Sequence, residues 1–327
     1  MFGKKLVSRK KAVSFCTFMI MLSLIGCSHL EEKLVDNSEK KSLTETIVLP
    51  DGSIVNPDGD MKLAEGSVSY GLFDEDGKLV QSGDTILVKD ELVKGTVNFQ
   101  QNIPGKEIEY TLIMLVDYVQ RQFLVKKESC LNYLFSLKGE DSMDVEIELP
   151  LPAEAETLTF LIIPEPNVLN LDFDTEEGRN NLFQTHNYYT ITCYLNGCEN
   201  DEKELKFSEE LIAYDENTTS LFMTKDLKVH KIMSECNSRE KVKILIGNTT
   251  EYKKTYIMLA FLNWEQVMIN RESYQLFEVE AGHGYYYELE VPGVEKESPY
   301  QIFMIENPFN PSLGDWNLST MRTIIKP

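Results

Sequence analysis

Cysteines, histidines, carboxylates and aromatic rings are the residues of this chain best suited to chemistry, and their spacing limits what that chemistry is. The six cysteines fall at 16, 27, 130, 193, 198 and 236. None forms a C-x-x-C pair and no suitably spaced histidines accompany them, so a zinc site is not expected. Cys193 and Cys198 are separated by Tyr194-Leu195-Asn196-Gly197, a spacing that would let a disulfide bridge the two arms of one hairpin; unpaired buried thiols are the alternative. The histidines are His29, His186, His230 and His283, the last inside Ala281-Gly282-His283-Gly284, where a solvated hairpin turn is expected. There is no G-x-S-x-G elbow, H-E-x-x-H helix, phosphate-binding glycine loop or dinucleotide fingerprint, and no catalytic residue is assigned. Carboxylates are so abundant that a pair of them does not argue for a glycosidase dyad. Asp172, Asp174, Glu176 and Glu177 are the exception worth testing, because hard oxygen ligands this close together suit Ca2+. A polar linker is the plainer account of them. The turn at Asp74-Glu75-Asp76-Gly77 does not complete an EF-hand, since the twelfth position from Asp74 is Thr85. In Tyr285-Tyr286-Tyr287 the middle ring must point away from its neighbours, so Tyr286, together with Trp264, is a candidate for stacking on a glycan; core packing accounts for alternate rings equally well.

The first 27 residues are of a different kind. Lys4, Lys5, Arg9, Lys10 and Lys11 precede an apolar stretch from Ala12 through Ile25, with no acidic residue. The stretch is shorter than the roughly 20 residues a spanning helix needs, and a basic head with a short apolar core is the pattern of a secretory signal. It ends in Leu24-Ile25-Gly26-Cys27, which resembles the lipobox of bacterial lipoproteins. In that family the cysteine thiol is diacylglycerated and a dedicated peptidase then cuts before it. The resemblance implies cleavage between Gly26 and Cys27, a lipid-bearing N-terminus at Cys27, and a protein held on the extracytoplasmic face of a cell membrane with the bilayer as its partner. Cys130, Cys193, Cys198 and Cys236 would then remain in an oxidising compartment, with three full pairings open to them.

The leader takes five of the 32 basic residues and none of the 53 acidic ones, leaving 27 against 53, a balance of −26. So acidic a body argues against nucleic acid or anionic lipid as a partner, either of which needs clustered Lys and Arg. Apolar content of 42% is enough for real cores, and about 300 residues is room for two domains.

Elements that would position these side chains read as strands. Residues 28–45 are polar and charged, a tether. From Thr46 short apolar or alternating runs are broken by turn signals such as Asp51-Gly52, Asp76-Gly77 and Pro104-Gly105. Met143, Val145, Ile147 and Leu149 alternate with Asp144, Glu146 and Glu148, the period of a strand with one wet face. An internal repeat organises the rest. At an offset of 142, Asp144–Pro150 matches Tyr287–Pro292, Leu134-Phe135 matches Leu276-Phe277, Leu161–Ile163 matches Phe303–Ile305, and Pro166 falls on Pro308. At an offset of 146, Asn102 meets Asn248, Tyr110 meets Tyr256, and Asp117-Tyr118 meets Asn263-Trp264. A repeat of this length is a whole domain rather than a solenoid unit. The expectation is an all-β chain: β-sandwich domain 1 at 46–168, an acidic junction at 169–185, and β-sandwich domain 2 at 186–327 with added material around 193–235. Each domain offers seven to nine strands and resembles the immunoglobulin-like sandwiches of exported bacterial proteins, without their Cys…Trp…Cys spacing.

The function this implies is a membrane-anchored, non-enzymatic binding or spacer module for an extracytoplasmic ligand: a protein, a wall polymer or a host molecule. The alternative is a surface enzyme or assembly accessory with its site in the added segment of domain 2.

Overall fold

The computed structural model describes residues 47–48, 53–55, 61–63, 65–185, 188–196, 207–208, 210–214, 221–228, 233–312 and 317–327. Gly26, Cys27, the tether, His186, Cys198 and His230 lie outside the described residues. All described residues belong to one compact unit, Glu45–Pro327.

Strands β1 (Ile47–Val48), β2 (Ser53–Val55) and β3 (Met61–Leu63) form a small antiparallel meander. The first sandwich begins with β4 (Ser67–Asp74), β5 (Leu79–Val80) and β6 (Thr85–Ile86). Its frame is a long antiparallel ribbon of β7 (Leu92–Val116) and β11 (Asn132–Pro150), with β8 (Val119–Gln120), β9 (Phe123–Val125) and β10 (Glu128–Cys130) between them in sequence. One end of the ribbon pairs with β4 and the other with β12 (Thr157–Pro164), so the same two strands serve both layers of the sandwich. The ribbon bends where the register shifts between Lys138 and Gly139, and Gly139 adopts a φ of +65° there. Lacking a Cβ, glycine occupies that region without strain, which is what a bulge requires. The shift changes which residues face inward: Val97 and Phe99 before the bend, Leu112, Met114 and Val116 after it. The alternation read over 143–149 holds, with Val145, Ile147 and Leu149 buried and Asp144, Glu146 and Glu148 exposed.

Helix α1 (Glu176–Gln184) follows, then β13 (Tyr189–Leu195), which runs antiparallel to β12 and parallel to β6. This corrects the boundary expected at residue 186. Residues 189–195 complete the first sandwich, because their partner is Thr157–Ile162, a pairing that local composition does not reveal.

The second sandwich has β14 (Ile212–Tyr214), β15 (Phe222–Thr224), β16 (Glu235–Asn237), β17 (Lys241–Gly247), β18 (Lys254–Leu262) and β19 (Glu265–Val267). It continues with β20 (Gln275–Val279), β21 (Gly284–Glu290), β22 (Ser298–Glu306), β23 (Leu318–Ser319) and β24 (Thr323–Lys326). One layer runs β14-β21-β17-β15 and the other β16-β24-β22-β18-β19, with β20 on β18 and β23 on β22. The long ribbon of the first half is here cut into separate pairs, β17–β21 and β18–β20. Registers correspond all the same. Tyr110 lies opposite Phe135 and Pro164, and Tyr256 opposite Phe277 and Glu306. β24 runs antiparallel to β22 and parallel to β16, as β13 does to β12 and β6. Apart from α1 the described residues are thus all-β, two tandem immunoglobulin-like sandwiches, each with its own core.

Candidate functional site: the face between the two sandwiches

Two short turns build this face. Asp117 and Tyr118 join β7 to β8 with φ of 48° and 62°, and Asn263 and Trp264 join β18 to β19 with φ of 49° and 66°. Two consecutive residues at positive φ make the tight turn that suits a two-residue hairpin. Asp and Asn tolerate that region, whereas a bulky ring there costs about 1–2 kcal/mol. The backbone of each turn is held from below: the Asp117 amide donates to Thr157 O at 3.1 Å, and the Asn263 amide donates to Pro299 O at 2.9 Å.

The rings are forced into these turns because each reaches across to the other sandwich. Tyr118 Oη donates to Pro308 O, and Trp264 Nε1 donates to Pro166 O at 2.8 Å. The two prolines are the same pair that the sequence repeat aligns. Beside them the arrangement is reciprocal. The Gln120 amide donates to Gln266 Oε1 at 2.6 Å, and the Gln266 amide donates to Gln120 Oε1 at 2.6 Å. Gln120 Nε2 donates to Trp264 O at 3.0 Å, and Gln266 Nε2 to Tyr118 O at 2.9 Å. What one half gives, the other returns.

Around these bonds lie twelve buried apolar side chains from both halves. Ile113 and Leu259, Leu115 and Phe261, Leu161 and Phe303, and Ile163 and Ile305 occupy equivalent strand positions. Arg322, fully buried, donates through Nη1 to Glu165 O and through Nη2 to Pro164 O at 2.9 Å, and its guanidinium lies 4.6 Å from the Trp264 ring centroid. Burial lowers its pKa to about 9, with Glu165 opposing the shift. Burial likewise raises the Tyr118 phenol well above its ordinary value. Helix α1 and the loop before it add a further contact: Leu182 and Leu171 pack with Ile324 of β24.

Trp264, expected as a stacking platform, is therefore an interface residue, only 6% exposed, and its ring is taken up by Arg322 and Pro166. Tyr286 does lie on the outer face of its sheet, half-buried, with Lys243 Nζ 5.4 Å from its ring centroid and Tyr214 edge-on at 6.5 Å. The register places Ile212 beside it, 44% exposed.

The acidic junction is a helix start. Thr175 caps α1, its Oγ1 accepting from the Gly178 amide at 3.0 Å and donating to Asp172 O at 3.1 Å. Asp172 Oδ1 accepts from the Asp174 amide at 3.0 Å, and Glu176 and Glu177 sit in the first turn, where the helix dipole favours negative charge. A Cβ at Gly178 would stand 2.1 Å from Asp172 O, so only glycine allows the loop to close onto the helix. Among the described residues no group of three or more His, Cys, Asp or Glu side chains could hold a metal ion, and Asp172, Asp174, Glu176 and Glu177 form no such group. Of the pair expected to bridge a hairpin, Cys198 lies outside the described residues. Cys193 is a free thiol in the first core, its Sγ 3.5 Å from Leu158 O. Cys130 and Cys236 are also free. His283 is exposed in its turn, with Nδ1 2.7 Å from Ala281 O.

Sequence reasoning did not single out Gln120, Gln266 or Arg322. The two glutamines could have been found, since they fall on one another at the offset of 146 that aligns the turns beside them. Arg322 carries no local signal.

No protein-family model matches the chain, and no curated protein matches it. Among solved structures it is similar to the periplasmic chaperone SfaE, at 11% identity and a TM-score of 0.24, over 80% of this chain and 100% of that one. It is similar at 6% identity and a TM-score of 0.21 to the C-terminal domain of the Streptococcus agalactiae AgI/II polypeptide BspA, over 80% of this chain and 100% of that one. The C-terminal domain of the Streptococcus pyogenes antigen I/II-family protein AspA gives the same identity and TM-score, over 80% and 99%. At scores this low the fold rests on the strand pairing described above.

Proposed function

We propose that this chain is a lipid-anchored, extracytoplasmic lipoprotein whose paired sandwiches act as a non-enzymatic binding or spacer module. The observation that carries the reading is Leu24-Ile25-Gly26-Cys27 closing a basic and then apolar leader. Two acyl chains on Cys27 would give stable anchoring where one would not. Residues 28–45 would then hold the body at most about 65 Å from the bilayer, taking up to about 3.6 Å per extended residue. The interlocked face between the sandwiches supports a stiff spacer over two loosely strung beads. For a ligand, the outer sheet face at Tyr286, with Ile212, Tyr214 and Lys243, offers a ring, apolar surface and one cation, a combination suited to a wall glycan or a protein side chain.

Metabolic labelling with a radioactive fatty acid tests the anchor. The wild type should carry label and sediment with membranes, and Cys27→Ala should lose both. A Cys27→Ala protein that is still labelled or still cleaved would end the lipoprotein reading. A pull-down on purified wall glycan tests the face: binding that falls several-fold in Tyr286→Ala supports it, and a wild type that fails to bind removes glycan as the ligand.

A further inference from the structure

We propose that a second copy of this chain is a partner these docking faces fit, with the first sandwich of one copy seated on the second sandwich of another. The reciprocity of the interface carries this. Tyr118 reaches Pro308 as Trp264 reaches Pro166, and Gln120 and Gln266 exchange paired hydrogen bonds. Every strand pairing described lies within one sandwich, and each sandwich has a separate core. The contacts across the face therefore do not depend on the two halves being covalently joined. A first sandwich meets the same chemistry whether the second sandwich comes from its own chain or a neighbour's, which is the low-cost route to a closed dimer by exchange. Intrachain pairing wins in dilute solution because a short connection supplies an effective concentration of about millimolar. Exchange takes over where copies are crowded or the intrachain contact is blocked.

Complementation in the full mature chain tests this. Leu161→Arg spoils the face of the first sandwich and Phe303→Arg the equivalent place on the second; both residues are fully buried in the interface and belong to neither core. Each variant retains one sound face of opposite kind. Light scattering should give the monomer mass for either variant alone and the dimer mass for an equimolar mixture. A mixture that stays monomeric while both variants melt cooperatively overturns the proposal. A single variant that dimerises alone also overturns it, since like faces would then be pairing. Should either variant fail to fold, wild-type chains carrying two different affinity tags are unfolded in urea and refolded together over a concentration series. Co-capture of the two tags that rises with concentration supports exchange, and its absence at the highest concentration refutes it.

Discussion

Lys254 and Glu306 form a buried ion pair in the second sandwich, with side chains 10% and 4% exposed and the ammonium 2.7 and 2.8 Å from the two carboxylate oxygens. At that separation the attraction is about 6 kcal/mol in an effective dielectric of about 20, while removing each charge from water costs several kcal/mol. The two sides nearly balance, so the pair as a whole contributes little. Either charge without the other is a different matter. Lys254→Met should lower unfolding free energy by about 3–5 kcal/mol, whereas Lys254→Ile with Glu306→Leu should fall within about 1 kcal/mol of wild type or exceed it. The first sandwich supplies the precedent: the aligned residues are Ile108 and Pro164, which sit in the same register without any charge. Urea titration followed by far-ultraviolet circular dichroism measures all three proteins. A Lys254→Met cost below about 1 kcal/mol, or a double variant as damaged as the single one, would refute the reasoning.

Replacing Trp264 by Phe keeps a ring but removes the bond to Pro166 O, and should cost about 1–3 kcal/mol by leaving a buried carbonyl without its donor; equal urea midpoints would count against the interface as described. Gly178→Ala should destabilise more than Thr175→Ala, whose lost cap is worth about 1 kcal/mol, because the new methyl meets Asp172 O; a neutral Gly178→Ala in thermal melts would contradict the loop geometry. Burial pushes the Cys193 thiol up to about 12 and the Cys236 thiol up to about 11, from 9.0. The folded state therefore keeps protons that the unfolded chain releases above about pH 9, and stability should fall by up to about 1.4 kcal/mol per pH unit for each thiol between there and its folded value. Urea titrations at pH 8 and 10.5 read this slope, which should shrink in Cys193→Ala; an unchanged slope would be the adverse result.

Much of the fold is local enough to be read from the chain. The alternation of Met143 to Leu149 gives a half-buried strand because side chains alternate faces with a period of two. The matched positions of Tyr110 and Tyr256, and of the Asp117-Tyr118 and Asn263-Trp264 turns, point to two copies of one architecture. What stayed hidden is non-local. Nothing around Tyr189–Leu195 says that its partner is β12 rather than a strand of the second half, so Cys193 looked like a hairpin cysteine when it faces a core. Trp264 groups with Tyr286 as a stacking ring because its residue type suits it; it is buried because another sandwich lies against it. The acids of 172–177 resembled a chelating cluster since capping and chelation draw on the same residue types, and only the Thr175–Gly178 bond and the tight approach to Asp172 separate the two.

The reciprocal bonding at Gln120 and Gln266 has a consequence for how the two halves can change over time. Each glutamine is both donor and acceptor for the other, so a substitution at one strands backbone and side-chain groups in the opposite half as well as its own. These two positions are yoked, and drift at one has to be answered at its counterpart. Lys254 and Glu306 differ in kind: Ile108 and Pro164 occupy the same register without charge, so that pair can be replaced together within one half with no answering change in the other. Mutational tolerance should therefore be lowest, and most strongly paired, along the line where the sandwiches meet, and should relax in the separate cores, where each half answers only to itself.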